Sequence, residues 1–271
     1  MAEGNGGATA PQASTIDTPS FSPPSFDLSG KTALVTGGSR GIGFASAAAL
    51  AAAGAHVLVA ARTESDVERA SDEISERFGS AEPVVLDVTD TETCAHVLSR
   101  GPDLDILVNS AGTNRPGPFR DVSPSDYDAV MALNVRSTFF VTQAVAARMV
   151  SAGRGGAIIN ISSQMGHVGA ANRSVYCASK WALEGMTKAI AIELAPHGIR
   201  VNTVAPTFIE TPMTAPFFAD PQFKSEVLSK IKLGRIGQPQ DVGGAVVFLA
   251  SSSSALMTGS SILLDGGWTA E

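Results

Sequence analysis

The chain has 271 residues, of which 44% are hydrophobic and 17% are charged, and it carries a net charge of −7 at neutral pH. Its size and hydrophobicity suit one α/β domain with a large buried core. The negative charge argues against nucleic acid or an anionic membrane as the main partner. Two cysteines, Cys94 and Cys177, make no disulfide framework, so we expect a reducing, cytoplasmic location.

Residues 1–26 differ in composition from the rest of the chain. They are rich in Gly, Ala, Ser, Thr and Pro, and the first basic residue is Lys31. Such a segment cannot bury enough apolar surface to fold, so we predict a disordered tail there. It has the features of neither a secretory signal nor a mitochondrial presequence. Residues 27–271 are predicted to be the folded part, and no segment approaches the roughly 20 uninterrupted apolar residues of a membrane span.

From Leu28 onward, short apolar runs alternate with longer segments of helical spacing. The runs predict seven strands, at Thr32–Thr36, His56–Ala60, Val84–Asp87, Ile106–Asn109, Ala157–Ile161, Arg200–Val204 and Ser261–Leu264. The longest helical segments are Ser125–Val150, Ser174–Leu194 and Gln240–Ala250. Continuous apolar strands separated by helices are typical of a parallel sheet covered on both faces. The predicted fold class is α/β: a single doubly wound Rossmann domain with a seven-stranded parallel sheet.

A glycine-rich segment, Thr36-Gly-Gly-Ser-Arg-Gly-Ile-Gly43, follows the first predicted strand and precedes an alanine-rich helical run. A turn of this kind lets the backbone approach a pyrophosphate, whose charge faces the helix N-terminus. A tight strand-to-helix turn would use glycine anyway. The position directly after the first strand favours a dinucleotide-binding site.

The end of the second strand indicates which dinucleotide is bound. An NAD site usually has an acidic residue there, which accepts a hydrogen bond from the ribose 2′-hydroxyl. Here the strand ends in Val59-Ala60-Ala61-Arg62, and Arg40 adds a second cation from the glycine-rich turn. Two guanidinium groups suit a 2′-phosphate, although both could be solvated surface charges. We predict NADP as the cofactor and no metal site.

Tyr176 and Lys180 stand four residues apart in a predicted helix, so the two side chains share one helix face. A cation held near a phenol favours the phenolate and lowers the tyrosine pKa from about 10 toward neutrality. A general acid/base needs such a pKa. A buried tyrosine beside a surface lysine is the alternative reading of this pair.

Taken together, the motifs resemble the short-chain dehydrogenase/reductase family over residues 28–269. They stand in the family's order and spacing: the glycine-rich turn 36–43, Asp87-Val88, Asn109-Ser110-Ala111-Gly112, Asn134, Ile161-Ser162-Ser163, Tyr176-x-x-x-Lys180 and Pro206 to Thr211. An ordered set of this kind is more specific than any one of its members.

The resemblance implies four catalytic roles. Tyr176 would be the general acid/base, and Lys180 would lower its pKa and bind the nicotinamide ribose. Ser163 would hold the substrate oxygen, while Ser162 would have a structural role. Asn134 would hold a water molecule that links the lysine to solvent. The alternative for Asn134 is a buried amide bonded to the backbone.

The resemblance also implies the cofactor contacts. The pyrophosphate and the adenosine ribose would lie against Gly37, Ser39, Arg40, Gly41, Ile42 and Gly43, with Arg62 nearby. The adenine side would meet Asp87, Val88, Asn109, Ala111 and Gly112. The nicotinamide side would meet Tyr176, Lys180, Pro206, Thr207, Ile209 and Thr211.

Several polar side chains near Ser163 favour a hydroxylated substrate, because unpaired buried polar groups are costly. They are Asn114, Arg115, Gln164, His167, Asn172 and Arg173. The C-terminal segment 265–270 also resembles sugar and polyol members of the family. Residues 207–237, with three prolines and four phenylalanines, could be a mobile lid or static cover.

The predicted function is an NADP-dependent oxidoreductase that acts on a carbonyl or secondary alcohol, such as a sugar, a polyol or a related ketone. A 3-oxoacyl-thioester reductase shares the catalytic residues and is the alternative enzyme. A non-catalytic NADP-binding sensor or scaffold is the alternative from another class. By analogy with the family, we expect the helical segments 125–150 and 174–195 to form a homotetramer or a dimer.

Overall fold

The computed structural model describes Met1 and residues 23–270. Most of the predicted disordered tail, residues 2–22, lies outside the described residues, as does residue 271. At the start of the described chain, the carbonyl oxygen of Ser25 accepts a hydrogen bond from the Ser253 hydroxyl at 2.8 Å. The ring of Phe26 lies 6.4 Å from that of Phe248. Residues 25 and 26 therefore contact the folded part of the chain.

A parallel sheet of seven strands forms the centre of the fold, in the order β3-β2-β1-β4-β5-β6-β7. The strands are β1 Thr32–Thr36, β2 His56–Ala61, β3 Ser80–Val85, β4 Ile106–Asn109, β5 Gly156–Ile161, β6 Ile199–Pro206 and β7 Ser261–Leu264. The strand order reverses between β1 and β4, and ligand sites of such sheets lie at the carboxyl ends of the strands at this point. The predicted seven-stranded, doubly wound α/β fold is confirmed.

Helices cover both faces of the sheet. They are α1 Gly41–Ala52, α2 Glu64–Arg77, α3 Thr91–Arg100, α4 Pro124–Met131, α5 Ser137–Ala152, α6 Ser174–Leu194, α7 Ala215–Phe218, α8 Pro221–Lys230 and α9 Pro239–Ala250. Buried side chains of α1, α2 and α9 form one apolar cluster with the sheet. Buried side chains of α3, α5 and α6 form a second cluster on the opposite face.

The alternation of side chains along each strand fills both clusters. In β1, Ala33 and Val35 belong to the first cluster, while Leu34 between them belongs to the second. In β4, Val108 faces the first cluster and Leu107 the second. Successive residues of a strand point to opposite faces, so a sheet covered twice needs apolar residues at every position. This requirement is why the central strands stand out in the sequence.

The predicted bounds of β3 were wrong. The strand runs over Ser80–Val85, four residues before the predicted start at Val84. It lies at the edge of the sheet, and four of its six residues are exposed. Pro83, which has no N–H to donate, is tolerated at an edge. Because an edge strand needs no continuous apolar run, the sequence marked only its last residues.

The predicted helix Ser125–Val150 is α4 and α5 joined by a π-helical turn at Ala132–Arg136. By length and composition alone, the continuous segment Pro124–Ala152 could cross a membrane. Its Val141, Val145 and Met149 are instead buried in the second apolar cluster, as in a core helix of a folded domain.

Candidate active site

The glycine-rich turn joins β1 to α1 at the point where the strand order reverses. Gly37 and Gly41 have φ angles of 64° and 57°, in the left-handed region that favours glycine. A Cβ on Gly37 would lie 2.8 Å from the Ala111 nitrogen, and one on Gly43 would collide with the Gly37 carbonyl oxygen. The turn is therefore a cradle of bare backbone that side chains would fill.

A cavity extends from this turn along the carboxyl ends of the strands. It is lined by most of the residues that the sequence predicted, namely Gly37, Ser39, Arg40, Gly41, Ile42, Gly43, Arg62, Val88, Ala111, Gly112, Ser163, Tyr176, Lys180, Pro206, Thr207, Ile209 and Thr211. Residues far apart in the chain thus meet at one site. Asp87, Asn109 and Asn134 do not line it.

Asp87 and Asn109 make hydrogen bonds that stabilise the structure around the cavity. The Asp87 carboxylate accepts hydrogen bonds from the backbone N–H and the hydroxyl of Thr89 at 2.9 and 2.7 Å. The Asn109 amide donates to Thr142 Oγ1 at 3.0 Å and to Asn160 Oδ1 at 2.9 Å. Asn160 in turn donates to Thr187 Oγ1. This buried chain of amides holds β4 and β5 against α5 and α6.

Arg40 and Arg62 are exposed side chains that line the same end of the cavity. In the described part of the chain, neither one has an acidic partner. Asp66 also lines this end, but its carboxylate accepts a hydrogen bond from Arg69 at 2.9 Å. The end of β2 therefore presents two unpaired cations to the cavity.

Helix α6 brings Tyr176 and Lys180 together, as their spacing predicts. Lys180 Nζ lies 5.5 Å from the centroid of the Tyr176 ring and donates a hydrogen bond to the Ile161 carbonyl oxygen at 2.9 Å. Ser163 follows the end of β5, and its hydroxyl donates to Gln164 Oε1 at 3.0 Å. Ser163 and Tyr176 line the same cavity.

The predicted lowering of the Tyr176 pKa is wrong for the protein without ligands. Burial of the hydroxyl raises the pKa of Tyr176 to about 12, although the hydrogen bond from Ser163 and the charge of Arg173 act in the opposite direction. Burial also lowers the pKa of Lys180 to about 8, and the charge of Glu184 only partly offsets this. Desolvation outweighs the nearby charges for both groups.

Asn134 lies in the π-helical turn, and protein groups bind its whole side chain. Its amide oxygen accepts from the Thr113 N–H at 2.8 Å, and its nitrogen donates to the Thr113 carbonyl oxygen at 2.9 Å and to Ser179 Oγ at 3.0 Å. This is the buried, backbone-bonded amide that the sequence left open as an alternative. Asn134 fixes the segment after β4 against the helix that carries Tyr176.

A buried carboxylate that the sequence analysis missed lies one turn beyond Lys180. Glu184 accepts a hydrogen bond from Thr203 Oγ1 at 2.9 Å, and its other oxygen lies 3.3 Å from His167 Nε2. His167, which was predicted near the substrate, also contacts Ser261 and does not line the cavity. The four-residue spacing from Lys180 was the available signal, but an apolar helix gives no reason to expect a buried glutamate.

Three of the six predicted substrate contacts line the cavity: Asn114, Gln164 and Arg173. Arg115 instead pairs with Asp126 at 2.7 Å, and Asn172 occupies a turn with a φ of 59°. Four buried polar atoms of cavity-lining residues have no partner within the described residues: Asn114 Oδ1, Ser162 Oγ, Gln164 Nε2 and Thr207 Oγ1. Buried polar groups are normally paired, so these atoms fit a site that receives ligand hydrogen bonds.

Residues 207–237 form the outer wall of the cavity. A bridge between Ile209 and Gly237 closes the base of this segment, which contains α7 and α8. Its Phe208, Phe217, Phe218 and Phe223 pack together, and Phe208 stacks on Trp268 at 5.9 Å.

The C-terminal segment supports this wall and does not line the cavity. The Asp265 carboxylate accepts hydrogen bonds from the N–H groups of Gly267 and Thr269 at 2.9 and 2.8 Å. These bonds close the turn that carries Trp268.

Comparison with known proteins agrees with the fold and the motifs. A family model described as enoyl-(acyl carrier protein) reductase matches residues 37–269. The chain is 40% identical to L-xylulose reductase of Bos taurus, over 90% of this chain and 98% of that protein. It is 39% identical to a 3-oxoacyl-[acyl-carrier-protein] reductase of Thermotoga maritima, over 89% and 98%. A gluconate 5-dehydrogenase of Burkholderia cenocepacia, solved with NADP and tartrate, superimposes with a TM-score of 0.87, 34% identity and coverage of 91% and 98%.

The lowered pKa of Lys180 predicts a pH-dependent stability. The folded protein releases this proton near pH 8, and an unperturbed lysine releases it at 10.5. The unfolded state therefore binds more protons between these values, and this residue makes the free energy of unfolding rise with pH, by at most about 1.4 kcal/mol per pH unit. We expect urea titrations between pH 8 and 9 to show this rise in the wild type and not in Lys180→Met. Above about pH 9 the Cys94 thiol, whose pKa burial raises to about 11, acts with the opposite sign.

Lys188→Met is the matched control, because Lys188 is an exposed lysine on the same helix. It should keep the wild-type dependence on pH. A constant difference between the wild type and Lys180→Met across this range would contradict the lowered pKa. Tyr176 does not interfere, since its raised pKa affects stability only above about pH 10, and with the opposite sign.

Proposed function

Because the chain belongs to the short-chain dehydrogenase/reductase family of oxidoreductases, we propose that it is an NADP(H)-dependent reductase of a sugar-like or related ketone. One observation carries the proposal: Ser163, Tyr176 and Lys180 meet in one cavity that continues to the glycine-rich turn. The three side chains have the chemistry to bind a carbonyl oxygen and to give it a proton. The turn has the backbone shape that a pyrophosphate needs.

The described residues fit NADP(H). The pyrophosphate would be held by Gly37, Ser39, Gly41, Ile42 and Gly43, since they lie at the start of α1 and the three glycines leave the backbone accessible. Leu86, Val88, Ala111 and Gly112 would face the adenine side, and Asn109 would support them from behind. Pro206, Thr207, Ile209 and Thr211 would lie at the nicotinamide, where the buried Thr207 hydroxyl offers an unpaired polar group. When bound, the cofactor supplies the hydride.

NADP(H) rather than NAD(H) is proposed because Arg40 and Arg62 lie unpaired at the end of β2. A 2′-phosphate would accept charge-assisted hydrogen bonds from both guanidinium groups. The carboxylate of Asp66, the acidic group at this end of the cavity, pairs with Arg69. The NADP bound in the Burkholderia relative supports the same choice.

Tyr176 would be the proton donor in reduction. Its phenol is protonated at neutral pH, since burial raises its pKa to about 12, and it would give its proton to the carbonyl oxygen as a hydride reaches the carbonyl carbon. The product is a secondary alcohol, and the tyrosinate left behind is stabilised by Lys180. Ser163 would bind the same oxygen. Asn134 acts as a positioning residue, because it holds the Thr113 backbone and Ser179 and does not reach the cavity.

A sugar-like ketone is the proposed substrate class. The unpaired atoms of Asn114 and Gln164 would be satisfied by substrate hydroxyls. The similarity to L-xylulose reductase supports the same class. Residues 207–237 would close over the substrate and exclude water.

A 3-oxoacyl-thioester reductase is the second candidate. The similarity to the Thermotoga maritima enzyme favours it, since the identity is nearly that of the sugar reductase. An acyl carrier protein is acidic, however, and a chain with a net charge of −7 opposes its approach. We therefore rank it below the sugar-like ketone.

The assembly is proposed to be a homotetramer built through α4, α5 and α6. These helices expose large apolar side chains, namely Tyr127, Phe139, Phe140, Trp181 and Ile192. Exposed apolar patches of this kind mark interaction surfaces. A cytoplasmic location stays a prediction from composition.

Tyr176→Phe tests the catalytic proposal. We expect the wild type to oxidise NADPH when it is assayed with a panel of ketoses and an acetoacetyl thioester. In the variant, kcat should fall about 10²- to 10⁴-fold, because the proton donor is removed. NADPH binding, followed by fluorescence, should remain. Tyr127→Phe is the matched control: it changes the other tyrosine of the chain, which is exposed on α4 outside the cavity, and should keep full activity.

The outcomes separate the candidate functions. Turnover of ketoses that depends on Tyr176 supports the sugar-like reductase. Turnover confined to the thioester favours the acyl reductase. Tight NADPH binding with no turnover, unchanged in Tyr176→Phe, favours a non-catalytic sensor.

Arg40→Ala and Arg62→Ala test the choice of cofactor. Each should raise the Kd of NADPH about tenfold, because a charge-assisted bond to the 2′-phosphate is lost, and should leave the Kd of NADH nearly unchanged. Fluorescence titration with both cofactors measures this. Arg77→Ala is the control, since Arg77 pairs with Glu73 on α2 and neither residue lines the cavity. Equal losses for both cofactors would contradict a 2′-phosphate site.

A further inference from the structure

Arg173 is a buried cation at the reacting end of the cavity. It precedes the first residue of α6 and stands three residues before Tyr176. Only 6% of its surface is exposed, and it lines the cavity. Tyr176 lines the same cavity.

The guanidinium group of Arg173 lacks a hydrogen-bond acceptor. Its contacts are the faces of two aromatic rings, Phe217 at 4.8 Å and Phe223 at 6.0 Å. Among the described residues, no carboxylate, hydroxyl or carbonyl oxygen binds it. Arg200, at the other end of the sheet, shows the usual arrangement, because it donates to Ser254 Oγ at 2.8 Å and to the Ser251 carbonyl oxygen at 3.2 Å.

The nitrogen atoms of Arg173 are not among the fully enclosed polar atoms that lack a partner, so they are open to the cavity, where a ligand can reach them. A guanidinium group has five N–H donors and cannot lose its charge, so it can bind an anion there without first breaking a bond to the protein. Burial of the rest of the side chain lowers the pKa of Arg173, as expected for a partly desolvated cation. The guanidinium carbon lies over the Phe217 ring, 4.8 Å from its centroid, and this contact stabilises the cation at the cavity.

We propose that Arg173 binds an oxyanion of the substrate, a carboxylate or a phosphate, while Ser163 and Tyr176 bind the carbonyl that is reduced. The inference rests on the proposed function and narrows its substrate to an acidic, hydroxylated ketone. A carboxylate or phosphate can accept two parallel hydrogen bonds from one guanidinium group. The unpaired atoms of Asn114 and Gln164 would bind hydroxyl groups on the same molecule.

The cofactor does not satisfy Arg173 in this arrangement. Its phosphates belong at the glycine-rich turn after β1 and beside Arg40 and Arg62, whereas Arg173 stands next to the proton donor. The acceptor must therefore come from the molecule that is reduced. A neutral ketose would leave the guanidinium group unpaired in the closed complex.

A matched pair of ketones tests the inference with NADPH. 5-Keto-D-gluconate and L-sorbose have the same carbon chain and configuration. They differ at one terminal carbon, which is a carboxylate in 5-keto-D-gluconate and a CH₂OH group in L-sorbose. We expect kcat/KM to be about 10- to 100-fold higher for the keto acid, the range that a charged hydrogen bond provides. Fructose 6-phosphate, compared with fructose, distinguishes a phosphate from a carboxylate as the bound group.

Arg173→Gln should remove this preference. The value of kcat/KM for the preferred anion should fall about 10- to 100-fold, and the value for its neutral partner should change less than about threefold. Arg173→Lys keeps the charge and should retain part of the preference. Arg115→Gln removes a nearby charge that pairs with Asp126 outside the cavity, and it should leave the preference unchanged. An equal loss for anionic and neutral ketones would show a structural role for Arg173 and overturn the inference.

Binding without turnover provides an independent readout. In the presence of NADP⁺, D-gluconate should raise the melting temperature of the wild type and D-glucitol should raise it less, and Arg173→Gln should abolish the difference. If ketoses are reduced without a preference for anions, the inference fails and the proposed function stands. If no ketone is reduced but gluconate stabilises the wild type through Arg173, the inference stands and the proposed reaction fails. Equal effects of gluconate and glucitol on the wild type would overturn the oxyanion site.

Discussion

The site depends on a lysine ammonium that is held almost completely out of water. Lys180 is 6% exposed, and burial alone would expel its proton. A hydrogen bond to the Ile161 carbonyl oxygen and the charge of Glu184 oppose that loss. Glu184 is itself held by Thr203 of β6 and by His167. The charge beside Tyr176 therefore depends on β5, β6 and α6 at once.

The parallel sheet collects the remaining parts of the site at one edge. Thr36, Asn109 and Asn160 lie side by side in register at the ends of β1, β4 and β5. Three parts of the site follow these strand ends: the glycine-rich turn, the segment that Asn134 binds, and Ser163. The loops that would bind cofactor and substrate therefore start from adjacent strands of one sheet. The buried amides of Asn109 and Asn160 hold the ends of β4 and β5 together.

The elements with local signals were predictable. Tyr176 and Lys180 share a face because of helical spacing, and the glycines of the turn stand where backbone approaches backbone. The central strands needed apolar residues on both faces. Contacts between distant segments left no such signal, so the contacts of Glu184 with His167 and Thr203 could not be found from the pattern. The pattern located the edge strand β3 but not its bounds, because its exposed residues form no apolar run. The predicted direction of the Tyr176 pKa shift was wrong, because the sequence shows the neighbouring cation but not the burial that outweighs its effect.

The central claim is that a hydride passes directly to a carbonyl carbon held beside Tyr176. The most direct measurement uses NADPH with deuterium in the transferable position of the nicotinamide, and mass spectrometry of the alcohol formed from the best ketone of the panel. The account predicts one deuterium on the carbon that becomes the secondary alcohol, with none there when unlabelled NADPH reacts in heavy water. An alcohol without cofactor deuterium, or with solvent deuterium on that carbon, would contradict direct transfer and the arrangement of the site derived from it.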